Sequence, residues 1–172
     1  MNLANKITAL RILLIPLFLY FVYTDLKYHI LIATIIFVFA ALTDSLDGYI
    51  ARSRNQVTKF GKFIDPLADK LMITAALLSL VELERIEGWI VMVIIARELI
   101  ITGLRAVAAS DGVVIAASMW GKVKTVTQIV AVVSALLAIP YYNIFVIIAL
   151  ISTILSGVDY IYKNRKILNA DK

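Results

Sequence analysis

The chain has 172 residues, 62% of them hydrophobic, and a mean hydropathy of +0.92, far more apolar than an ordinary soluble domain. It contains no cysteine, which excludes disulfides, thiolate chemistry and cysteine-ligated zinc. The net charge of +5 is compatible with nucleic acid, but in a chain this apolar it reads instead as membrane orientation and attraction to anionic headgroups, with no nucleic-acid partner.

The apolar residues come in runs long enough to cross a hydrocarbon layer, which takes about 20 helical residues. Six spans are expected: Ile7–Tyr23, Tyr28–Leu46, Ile64–Leu83, Trp89–Ala109, Trp120–Ile139 and Tyr142–Tyr162. Inside a bilayer the backbone must satisfy its own hydrogen bonds, so these runs are helices. Pro16 and Pro140 are expected to kink or end helices. The only histidine, His29, sits beside an apolar run and reads as an interfacial residue. The first run is flanked by Asn5, Lys6 and Arg11 with no small-residue cleavage site behind it, so no cleavable signal peptide is expected.

Charge then orients the spans. Of the 17 basic residues, all but Lys27 and Arg85 fall on or near one side of this arrangement. By the positive-inside rule that side is cytoplasmic, and both termini lie there. No internal repeat or linker divides the chain. The expected fold is therefore all-α and integral to the membrane, with six transmembrane helices, a short N-terminal amphipathic segment and a single domain over residues 1–172.

The chemistry concentrates between Asp44 and Asp69. Asp44 and Asp47 stand three residues apart and Asp65 and Asp69 four apart, so on a helix each pair occupies one face. The short basic loop between the two spans favours antiparallel packing, which would let all four carboxylates converge. Ionised carboxylates near hydrocarbon are costly, and like charges in proximity repel. Divalent cations relieve both penalties. An all-oxygen set without His or Cys suits Mg²⁺ or Mn²⁺ rather than zinc, and two ions about 3.5–4 Å apart would leave positions open for a diphosphate. Gly48, Ala51 and Gly61 leave space for a phosphate or nucleotide to approach the backbone. Arg52 can hold phosphate oxygens through two parallel hydrogen bonds. For any one of these residues the bland alternative is a solvated, salt-bridged helix end, and Gly48 alone reads as a helix-packing contact.

Taken together, Asp44, Asp47, Gly48, Ala51, Arg52, Gly61, Asp65 and Asp69 spell D-x2-D-G-x2-A-R-x8-G-x3-D-x3-D. This pattern resembles, position for position, the motif of the CDP-alcohol phosphatidyltransferase family, and the six-span plan extends the likeness over essentially the whole chain. The resemblance implies a reaction in which an alcohol hydroxyl attacks the phosphorus attached to diacylglycerol in CDP-diacylglycerol and CMP leaves. It implies that Asp44, Asp47, Asp65 and Asp69 bind metal, and that Asp69 also accepts the proton of the attacking hydroxyl. It places Gly48, Ala51, Arg52, Gly61 and Thr58 at the CDP-diacylglycerol site, with Asn5 and Thr8 of the N-terminal segment touching the nucleotide. A homodimer is also implied.

The acceptor alcohol is read from the second half of the chain. Arg97 and Arg105, eight residues apart, lie within about 80° of each other on a helix, with Glu98 as a partner for one of them. Lys122 and Lys124 open the fifth span. Cations within apolar helices mark either function or a paired charge. A cluster of them facing a metal site suggests an anionic, phosphorylated acceptor. The alternative is cytoplasmic anchoring by side chains that snorkel to the interface.

The strings around Arg97–Arg105 and Lys122–Gln128, and the opening Asn5-Lys6-Ile7-Thr8 with Pro16, resemble those of bacterial members that make phosphatidylglycerophosphate. Glycerol 3-phosphate is the acceptor that this likeness implies, and a bacterial plasma membrane the location. Phosphatidylglycerol (a cardiolipin synthase) or an inositol phosphate is the alternative acceptor. A cation channel with four aspartates along its path would leave Gly48, Ala51, Arg52 and Gly61 without a role, and a scaffold would make the aspartates dispensable.

Overall fold

The computed structural model describes residues 3–53, 59–110 and 118–168, with side chains described for 9–43, 68, 70–110 and 118–165. Among the described residues the fold is all-helical. In chain order the helices are α1 (Leu3–Tyr23), α2 (His29–Ser53), α3 (Lys59–Glu82), α4 (Gly88–Ser110), α5 (Met119–Leu136) and α6 (Tyr142–Leu168). Each expected span falls on one of them.

Helix ends follow local chemistry. Ser118 caps α5 by accepting a hydrogen bond from the Gly121 amide at 3.1 Å. Helix α3 ends in a left-handed residue, Glu84, at φ 57. There the Arg85 amide donates to the Leu80 carbonyl and the Glu84 amide to the Val81 carbonyl, both at 2.9 Å. Helix α5 ends the same way around Ala138 at φ 49. Its bonds run from the Ile139 amide to the Ser134 carbonyl and from the Ala138 amide to the Ala135 carbonyl. Pro16 does not end α1, which continues through it, whereas Pro140 lies in the turn between α5 and α6.

Helix α5 packs along α6, α1 along both α2 and α3, and α4 against α6. The core is built from Phe18, Val22, Phe37, Leu80, Ile94, Val132 and Leu136, all nearly inaccessible. Phe18 and Phe37 hold α1 on α2 with tilted rings, centroids 6.2 Å apart. Outside that core the helices present Leu13, Leu17, Ile35, Phe39, Met92, Leu99, Val126, Ile147 and Ile151 outward. So broad an exposed apolar surface matches a lipid rather than an aqueous environment. Residues Tyr142–Arg165 form a helix long and apolar enough to cross a membrane, with mean hydropathy 2.2, and Ala9–Tyr23 and His29–Thr43 are shorter apolar helical segments.

Candidate active site

The four aspartates lie in two consecutive helices. Asp44 and Asp47 fall within α2, and Asp65 and Asp69 within α3. Both pairs therefore lie in continuous helix, the condition on which the shared-face reading depends. Helix α2 runs seven residues beyond the expected Leu46, to Ser53, and α3 begins five residues before Ile64, at Lys59, so Gly48, Ala51, Arg52 and Gly61 are helical as well. The side chains of Asn5, Thr8, Asp44, Asp47, Ala51, Arg52, Asp65 and Asp69 lie outside the described residues, as do Thr58 altogether and the surroundings of Gly48 and Gly61. Among the described residues no three His, Cys, Asp or Glu side chains come together.

The described part of the site begins directly beside them. A small cavity of about 60 Å³ is lined by Ala40 and Ala41 on α2, one turn before Asp44, and by Lys70 on α3, next to Asp69. Its other polar walls are Arg11 of α1, Glu98 of α4, and Lys124, Thr125 and Gln128 of α5. Arg11 is 2% exposed, so this arginine is buried in the bundle rather than anchored in headgroups.

A larger cavity of about 390 Å³ adjoins it and shares Lys70, Glu98, Lys124 and Thr125. Arg97, Arg105, Lys122 and Lys124, the four cations expected from sequence to face an anion, all line this one space, together with Thr102, Ser118, Gly121 and Tyr160. The first turn of α5 contributes Gly121 and Lys122, and a helix N-terminus adds partial positive charge to the basic side chains.

A polar network sets the positions of the inner cations. Lys124, 8% exposed, donates to Glu98 Oε1 at 2.5 Å. Arg97 Nη1 reaches the same oxygen at 3.3 Å, and Arg97 Nη2 donates to Ser156 Oγ on α6 at 2.6 Å. Just beyond, Gln128 Nε2 donates to Thr153 Oγ1 at 3.0 Å, and the Thr127 and Ser152 hydroxyls are 2.6 Å apart. Helices α4, α5 and α6 are thus cross-linked by polar contacts inside an apolar bundle, where such groups are costly without partners. Arg97 and Lys124 are inward-facing and ion-paired, which sets aside snorkelling for these two, while Arg105 and Lys122 are exposed at the mouth.

Sequence reasoning had not assigned Lys70, Thr102, Ser156 or Tyr160 to this site. Lys70 was legible as a neighbour of Asp69. Ser156 and Tyr160 sit in an apolar run, and only the packing of α6 on α4 brings them to Arg97 and the cavity.

An all-helical bundle with a lipid-compatible surface, holding a cation-lined cavity beside two aspartate-bearing helices, defines the class as a helical membrane protein. More narrowly, the chain belongs to the CDP-alcohol phosphatidyltransferase family, whose model matches residues 1–155, and it is accordingly a transferase of phospholipid biosynthesis. It is similar to proteins named CDP-diacylglycerol–glycerol-3-phosphate 3-phosphatidyltransferase from three bacteria. The Bacillus subtilis protein is 43% identical, with 95% of each chain covered. The Haemophilus influenzae protein is 40% identical over 93% of this chain and 91% of its own, and the Pseudomonas fluorescens protein 39% identical over 91% and 83%.

Proposed function

We propose that this chain transfers the phosphatidyl group of CDP-diacylglycerol to glycerol 3-phosphate, releasing CMP and forming phosphatidylglycerophosphate. The observation that carries this reading is the cation-lined cavity, whose wall at Lys70 continues along the chain into Asp69. An anionic acceptor held by Arg97, Arg105, Lys122 and Lys124 would therefore sit next to the aspartate-bearing helices. The names of the bacterial relatives support the same acceptor.

The donor set Asp44, Asp47, Asp65 and Asp69 is all carboxylate and fits Mg²⁺ or Mn²⁺, two ions in this reading. When bound, such ions neutralise negative charge on the diphosphate and on the departing CMP. The rest falls to the chain's own residues. Arg52 holds phosphate oxygens of the donor, and Gly48, Ala51 and Gly61 let the CDP portion approach the helix backbone, with Asn5, Thr8 and Thr58 completing that contact. Arg97, Arg105, Lys122 and Lys124 bind the acceptor's phosphate and so orient its free hydroxyl. Asp69 takes the proton as the hydroxyl oxygen bonds to the diacylglycerol-bearing phosphorus, and the bond from that phosphorus to the CMP oxygen breaks.

On the same reading the chain is one domain over residues 1–172. Its six helices all span a bacterial plasma membrane, with both termini and the site on the cytoplasmic side, and two copies form a homodimer. The lipid tails then stay in the bilayer while the diphosphate meets the aspartates at the interface.

The test is CMP release by purified protein with CDP-diacylglycerol and Mg²⁺ across a panel of acceptors. Release with glycerol 3-phosphate, and not with inositol phosphate or phosphatidylglycerol, is the expected result. Release with another alcohol but not with glycerol 3-phosphate would overturn the assignment.

A further inference from the structure

Arg97 is a cation of the acceptor cavity that is held both by its own helix and by α6. Its two terminal nitrogens are both engaged, Nη1 by Glu98 at 3.3 Å and Nη2 by Ser156 at 2.6 Å. Its stem lies against α6 at Gly157, where a Cβ would come within 3.3 Å of Arg97 Cγ and 3.9 Å of Nε. Its Nε is buried with no hydrogen-bond partner among the described residues, shielded on the Gly157 side. A long side chain normally absorbs such crowding by moving. Here a shift of the stem would pull the guanidinium from Ser156, from Glu98, or from both.

We propose that Ser156 and Gly157 are positioning residues for Arg97. Ser156 fixes the rotation of the guanidinium, Gly157 fixes its depth, and together they determine how well the cavity selects a phosphorylated acceptor. The inference rests on the reading of this cavity as the acceptor site. The physical reason is that a planar guanidinium binds phosphate well only in a restricted orientation. A misplacement of a few tenths of an ångström weakens binding without removing any charge.

The test is steady-state kinetics on Ser156→Ala, Ser156→Thr, Gly157→Ala and Arg97→Lys in the full-length, detergent-purified protein, varying glycerol 3-phosphate and CDP-diacylglycerol separately. Ser156→Ala is expected to raise the KM for glycerol 3-phosphate about tenfold, the effect of losing one hydrogen bond to a charged group. Its kcat and its KM for CDP-diacylglycerol should stay within about twofold of the parent, because a uniform binding contact is what is lost. Ser156→Thr keeps the hydroxyl and should restore most of the acceptor affinity. Gly157→Ala should act in the same direction as Ser156→Ala. Arg85→Met serves as the structural control, since Arg85 bonds the Ala135 and Leu136 carbonyls at the far end of α5; it should lower the melting temperature and leave the acceptor KM unchanged.

An unchanged acceptor KM in both Ser156→Ala and Gly157→Ala overturns the proposal. So does a loss shared equally by kcat and both KM values, with Ser156→Thr no better than Ser156→Ala. Arg97→Lys separates this from the underlying reading. If it raises the acceptor KM while the α6 variants do not, the cavity assignment stands and the positioning role falls. If it leaves the acceptor KM unchanged, the cavity assignment itself is wrong.

Discussion

Glu98 carries the only described negative charge lining the cation-rich cavity, and its replacement by glutamine is a sharp perturbation. One oxygen, Oε1, serves Lys124 at 2.5 Å and Arg97 at 3.3 Å. The side chains of the three residues are only 10–14% exposed, so neither cation can recover full hydration when the carboxylate is lost. Removing one partner of a fully buried pair costs about 3–5 kcal/mol. Glutamine keeps a carbonyl oxygen that both cations can still use, and the site is partly open, so the expected loss is about 1.5–2 kcal/mol. For a chain of this length that corresponds to a fall in melting temperature of about 5 °C. Thermal unfolding in detergent reads it directly. The double variant Glu98→Gln/Lys124→Met removes the stranded ammonium and should melt above Glu98→Gln alone, with a coupling of about 1 kcal/mol or more. The reasoning is refuted if Glu98→Gln melts with the parent, or if the double variant falls by the sum of the two single losses.

Asp69→Asn should abolish CMP release by at least about a hundredfold, the lower end of what a positioned base contributes, while far-UV circular dichroism and melting remain near the parent; survival of CMP release would remove Asp69 from its role. Arg85→Met loses the hydrogen bonds that Arg85 Nη1 makes to the Ala135 carbonyl at 2.7 Å and to the Leu136 carbonyl. It should cost about 1.5–3 kcal/mol of stability yet leave CMP release intact, since these contacts hold the C-terminal end of α5 and the cavity sits at its N-terminal end. Ala138→Gly relieves a left-handed non-glycine residue at φ 49 and should stabilise the protein by about 1 kcal/mol, raising the melting temperature without a kinetic effect.

The apolar runs marked all six helices because a long hydrophobic stretch has few other solutions. They did not mark where the helices end. Helix α2 continues through Asp47, Gly48 and Arg52 to Ser53, α3 starts at Lys59, and α6 extends to Leu168. In these stretches charged and polar residues interrupt the apolar run but the backbone still gains from helical hydrogen bonds, so hydrophobicity alone stops short. Of the two outcomes expected at Pro16, a kink or an end, the end does not occur: a proline interrupts one intrahelical bond, and α1 continues past it. The four cations that line one cavity were legible because charge inside an apolar helix is conspicuous. Ser156, Gly157 and Tyr160 were not, because small and aromatic residues are ordinary in such helices and acquire meaning only from the packing of α6 on α4. Glu98 was legible as a partner for an arginine, whereas its shorter contact with Lys124, 26 residues away, required the fold.

The central claim is that Asp44, Asp47, Asp65 and Asp69 together hold the divalent ions on which phosphatidyl transfer depends. Anomalous scattering from crystals grown with Mn²⁺ tests it most directly. The account predicts manganese peaks between α2 and α3, within coordination distance of those carboxylates and lost in Asp44→Asn/Asp65→Asn. Manganese bound elsewhere, or four carboxylates directed away from one another with no ion between them, would contradict it.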